Sequence, residues 1–169
     1  MIVWWLLVAC TSKDTVTPCD ACAGVCALTT QPIGGYDHVD GTIDYPDPPP
    51  TSGDHDGCWA TWGSHAEEVP DEQWVHNLEH GGVAILFNCA DGCLDDAATA
   101  GAWAQASLAP GRWIMSPYGE MEPGWAAVAW GVRLTLGCLD TVELQAFYDA
   151  NVGHGREDET GDPPVSCEE

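Results

Sequence analysis

The stretch Val75-His76-Asn77-Leu78-Glu79-His80-Gly81-Gly82-Val83-Ala84-Ile85-Leu86-Phe87 changes period at its middle. Just upstream, Pro70-Asp71-Glu72 supplies a helix start, with two acids in the first turn facing the positive end of the helix dipole. The spacing predicts a short helix through Trp74 to His80, stopped by the glycine pair. Val83 to Phe87 is a continuous apolar run of strand length, which predicts a buried strand. Helix, tight stop and buried strand together point to helices packed on a sheet.

Downstream, residues 91–107 are alanine-rich and read as a helix. Residues 112–116 and 126–136 read as strands, the second long and bulged at Gly131. Residues 141–150 form an amphipathic helix with Val142, Leu144, Phe147 and Tyr148 on its apolar side. The order strand, helix, strand, strand, helix predicts an α+β fold with a small mixed sheet and helices packed on it. A right-handed crossover would set the first two strands parallel, and a hairpin would bring the third beside them. The same order occurs in the second half of thioredoxin-like folds, a partial analogy of topology. Upstream, residues 36–63 form a long Pro/Gly-rich segment with Pro48-Pro49-Pro50, held extended by its prolines and ordered by its interleaved Tyr, Trp and His.

The 169 residues divide accordingly into residues 1–9 as a signal segment, 10–35 as a cysteine-containing tether, 36–152 as one globular domain and 153–169 as a loose acidic tail. With 27 acidic and 4 basic side chains the net charge is −23, too few cations to neutralise a nucleic-acid backbone. Residues Ile2 to Ala9 are apolar, and Leu7-Val8-Ala9-Cys10 resembles the lipobox of bacterial lipoproteins. In that group the cysteine carries the lipid, here Cys10. The resemblance implies attachment to a membrane at the bacterial cell envelope, and Thr11 after the cysteine implies an outer-membrane lipoprotein facing periplasm or cell surface. Eight cysteines then remain in an oxidising compartment, Cys19, Cys22, Cys26, Cys58, Cys89, Cys93, Cys138 and Cys167, and are expected to form disulfides whose pairing the sequence leaves open.

Five of the six histidines lie between residues 38 and 80. His76 and His80 are four apart, so on a helix their rings share one face and can share a metal ion. His38 and His55 sit in the proline-rich segment, which can fold back over that face. The four histidines are the candidate ligands of a transition metal, copper or zinc. Met115 or Met121 could add a thioether and bias the site toward copper. His65 and His154 are read as surface residues. The string His76-Asn77-Leu78-Glu79-His80 is similar to the His-x-x-Glu-His motif of inverted zinc peptidases, which makes a hydrolase with Glu79 as general base an alternative. A non-catalytic cell-surface domain with packed histidines is a third reading. Ser52 lacks the strand-turn-helix setting of a nucleophile, and the tryptophans are read as core before sugar platforms.

The blocks Pro49-Pro50-Thr51-Ser52-Gly53-x-His55, Trp59-Ala60-x-Trp62-Gly63, Val75-His76-Asn77-Leu78-Glu79-His80-Gly81-Gly82 and Ala129-Trp130-Gly131 resemble the signature of a bacterial family catalogued as a domain of unknown function. Its members are often secreted or membrane-anchored. By matching position the resemblance singles out His38, His55, His76, Glu79 and His80. It implies no activity.

Overall fold

The computed structural model describes residues 16–19, 24–89 and 93–157. Seven strands form one mixed sheet: β1 (Val16–Cys19), β2 (Gly24–Thr30), β3 (Gly63–Ser64), β4 (Val83–Asn88), β5 (Trp113–Pro117), β6 (Gly124–Ala129) and β7 (Val132–Leu136). Their order across the sheet is β1-β2-β7-β6-β4-β5-β3. Three helices complete it: α1 (Asp71–Glu79), α2 (Leu94–Ser107) and α3 (Thr141–Asn151). The α+β fold and the mixed sheet agree with the sequence reading.

Alternation along the central strands sorts side chains into two cores. Val83, Ile85 and Phe87 of β4, Trp113 and Met115 of β5, and Trp125, Ala127 and Ala129 of β6 face one side. There they meet Ala97, Ala100 and Ala104 of α2 and Leu144, Phe147 and Tyr148 of α3. Ala84 and Leu86, Ile114, and Ala126 and Val128 face the other side, under Trp74, Val75 and Leu78 of α1. A sheet covered on both faces buries every residue of its middle strands, which is why 83–87 reads as unbroken apolar sequence.

The sequence reading is corrected at four points. Residues 126–136 are not one bulged strand. They are an antiparallel hairpin, β6–β7, turned at Trp130-Gly131, with Gly131 at φ +75°. A glycine in the left-handed region reverses the chain at no steric cost, and apolar residues on both arms hide the break. The crossover through α2 does set β4 and β5 parallel, but β6 pairs with β4 rather than with β5. Part of the expected tether is sheet, since Cys26 to Thr30 pair with Leu136 to Val132 of β7. The expected loose tail is docked at its start, where Gly153 N donates to Gly81 O at 2.8 Å and Glu157 N to Glu79 O at 2.9 Å.

Cys89, just after β4, and Cys93, just before α2, form a disulfide. Cys26, Cys58 and Cys138 are disulfide-bonded as well. The apolar N-terminal run, Cys10, Cys22, Cys167 and residues 158–169 lie outside the described residues, and Cys19 falls in β1. Among the described residues no helix is long and apolar enough to cross a membrane.

Candidate metal centre

The C-terminal half of α1 sits over β4 with its outer face against the proline-rich segment. Asn77 makes that contact rigid. Its Nδ2 donates to Ala60 O at 2.9 Å and its Oδ1 accepts from Ala60 N at 3.0 Å, so a side-chain amide pairs with a loop backbone as a strand would. The pairing presses Trp59 onto the next two ligand-type residues, with ring centroids 5.4 Å from His76 and 4.4 Å from His80. The second loop contact comes from the β6–β7 turn, where Gly131 N donates to Thr51 O at 2.9 Å. Arg133 adds bonds to Asp47 O and Pro49 O and an ion pair with Asp47. Tyr45 closes the arch, its hydroxyl donating to Asp54 O at 2.7 Å.

This frame delivers His55 to α1. His38 joins it through a short parallel bridge, in which His55 N donates to Asp37 O and Val39 N to His55 O. One ligand atom each from His38, His55, His76 and Glu79 lie within 4.8 Å of one another. The imidazoles of His38, His55 and His76 form a triangle with centroid separations of 5.1, 4.7 and 4.8 Å. His55, His76 and Glu79 are buried and His38 is exposed, so the cluster opens to solvent on the His38 side.

Hydrogen bonds set the ring protons. His55 Nδ1 lies 2.8 Å from Gly53 O. A carbonyl only accepts, so that nitrogen carries a proton. The Nε2 atom faces Glu79 Oε2 at 3.1 Å. A proton or a metal ion between these two atoms satisfies both. His80 repeats the pattern, with Nδ1 3.1 Å from Glu157 O and Nε2 3.0 Å from His76 Nε2. His76 Nδ1 is buried without an aligned hydrogen-bond partner, although the backbone of Asp56 lies near enough to favour a proton on that ring. Burial, reinforced by the neighbouring imidazoles of His55, His80 and His38, pushes His76 down to about 4. Its ring is therefore neutral at pH 7, with a lone pair available for a cation.

His80 stands beside the four-residue group rather than in it. It belongs to a second group with Glu79 and Glu157, whose ligand atoms also lie within 4.8 Å of one another. Glu79 is common to both. Its Oε1 is held by Arg156 Nη1 at 3.1 Å and its Oε2 by His55.

The match of the family model covers residues 38–166, more than half of the chain. The chain belongs to the family described as a protein of unknown function, DUF3105. The DUF3105 match starts at His38 and runs past Glu157, so every residue of both groups lies within it. No curated protein and no solved structure matches the chain.

Several weaker candidates are now placed. Met115 points into the core on the α2–α3 face of the sheet, opposite α1, so it cannot lend sulfur to the cluster. Met121 packs against the core beneath α1. Ser52 is buried and its Oγ accepts from Gly34 N at 2.9 Å, a structural task. Trp59, Trp74 and Trp125 are buried and offer no platform to a sugar. His65 is half-buried, its Nε2 2.9 Å from Thr61 O, and His154 is exposed. Arg156 and Glu157 were missed because they sit in an acidic tail, distant in sequence from the residues they touch. The available signal was compositional: Arg156 is one of only four basic residues in the chain.

Proposed function

We propose that this protein binds a transition metal ion, with His38, His55, His76 and Glu79 as ligands and His80 orienting the site from beside it. What carries the reading is the convergence of three imidazoles and one carboxylate at a partly buried point. The proton placement supports it, because metal-bound histidines typically donate their other ring N–H to a backbone carbonyl, as His55 does to Gly53. Three nitrogens and an oxygen, without sulfur, suit zinc or copper(II) and give copper(I) no soft ligand. A four-coordinate zinc with bonds of ~2.0–2.1 Å has ligand atoms about 3.3 Å apart, so the group closes onto the ion through a modest inward rotation of its side chains.

A binding role is preferred to hydrolysis. In this reading one oxygen of Glu79 is itself a ligand of the ion and the other is held by Arg156, so neither is left to act as a general base. The Leu7-Val8-Ala9-Cys10 ending supports, in the same proposal, a lipid on Cys10 and a place at the bacterial cell envelope. Storage, delivery or sensing of the ion follows from that address.

The reading is tested by loading the purified protein with zinc, desalting it and counting the ions retained. One equivalent is expected. A His65→Ala control is expected to match the wild type, since that ring lies outside both groups. Wild-type protein that emerges free of zinc, and equally of copper, sinks the proposal.

A further inference from the structure

Glu79 belongs to two groups that could hold a cation, one with His38, His55 and His76 and one with His80 and Glu157. Oε2 turns toward His55 of the first group. Oε1 turns toward Arg156, which also reaches Glu157 of the second. Elsewhere a carboxylate shared in this way bridges two metal ions. Here the second position already holds a positive charge. Arg156 Nη1 lies 3.1 Å from Glu79 Oε1 and 2.6 Å from Glu157 Oε1, spanning the two acids. Its guanidinium rests on the Tyr36 ring at 4.0 Å from the centroid, which fixes it from the outside.

We propose that Arg156 is a built-in substitute for a second divalent cation and holds the centre to a single metal ion. The inference rests on the metal-binding reading above. Three features make the substitution durable. Arginine stays charged at every physiological pH, so the position cannot empty by deprotonation. The backbone on either side is anchored to the end of α1 by Gly153 N to Gly81 O and Glu157 N to Glu79 O. Gly155 passes so close that a Cβ there would lie 2.1 Å from Glu79 O and 2.3 Å from Gly81 N, so glycine at this position is what lets the strap lie against the end of α1. The specificity that follows is for one ion per chain.

The test counts zinc equivalents retained after desalting, with zinc as the only metal supplied. The expected values are one for wild type, two for Arg156→Gln and one for Arg156→Lys, which restores a cation. The double variant Arg156→Gln/Glu157→Gln is expected to return to one, because it removes a ligand of the second ion. Arg156→Met is measured in parallel, since its stem still covers Tyr36, and is also expected to bind two. The first equivalent reports a folded centre. One equivalent in both the Gln and Met variants overturns the inference, as does two in the wild type. Loss of even the first ion from both variants also overturns it, because Arg156 would then be a support of the first position rather than the occupant of the second. A wild type that binds none is a different result and refutes the metal-binding reading itself.

Discussion

His55→Ala is expected to abolish zinc retention and to cost the metal-free protein about 3–5 kcal/mol of stability. The ring is fully buried, and so is the carboxylate it faces at 3.1 Å. Removing one partner of such a pair leaves the other desolvated with part of its compensation gone, although Arg156 still pairs with the Glu79 carboxylate. The bond from Nδ1 to Gly53 O, which fixes the ring within its own loop, is lost as well. On the metal side, the variant removes one of four ligands from the interior of the site, where water replaces it poorly. Urea unfolding with and without zinc checks both parts: a stability gain on adding zinc to the wild type, absent in the variant, is the expected pattern. Unchanged zinc retention by His55→Ala would show that the ion, if bound, sits elsewhere.

Asn77→Ala is expected to be nearly as damaging although Asn77 touches no ion. The side chain satisfies both the N–H and the C=O of Ala60, which is buried. Each buried polar group left unpaired costs about 1–3 kcal/mol, so the two together cost about 2–6 kcal/mol. A second effect sets this residue apart from an ordinary core position. Ala60 follows Trp59, whose indole lies against His76 and His80. Loosening that loop frees the two imidazoles to leave their rotamers, so zinc affinity should fall along with stability. Thermal melts measure the first effect and zinc competition with a chelator the second. An Asn77→Ala protein as stable as wild type would contradict the role assigned to the amide.

The basic residues acquire a common meaning from this geometry. Arg112 Nη1 donates to His80 O at 3.2 Å at the end of α1, where carbonyls lack helical partners. Arg133 clamps the proline-rich arch, and Arg156 clamps Glu79. In a chain of net charge −23, three of the four cations frame one site. The surrounding acids supply a field that draws metal ions toward it.

How much of this was legible follows from the range of each interaction. Helix α1, its glycine stop and the buried strand β4 are local patterns and were read to within a residue or two. The β6–β7 hairpin was not, because a single glycine in a long apolar run looks like a bulge unless the partner strands are known. Strand β2 was missed for the opposite reason. Its sequence Gly-Val-Cys-Ala-Leu-Thr-Thr has no regular alternation of apolar and polar residues, and it forms by pairing with β7, about a hundred residues away. In the site, helical spacing placed His76, Glu79 and His80 on one face, since i+3 and i+4 both return to it. Which of Glu79 and His80 meets the arch depends on where His55 arrives, and that is a tertiary fact. Gly53 O and Glu157 O, which set the ring protons of His55 and His80, are backbone atoms with no sequence signal at all.

The central claim, that three imidazoles and the Glu79 carboxylate surround one ion, is tested most directly by X-ray absorption at the zinc edge of the zinc-loaded wild type. The account predicts a four-coordinate shell with three histidine nitrogens at ~2.0–2.1 Å and one carboxylate oxygen at ~2.0–2.2 Å. A shell made only of oxygens, without the outer-ring scattering of imidazole, would contradict it.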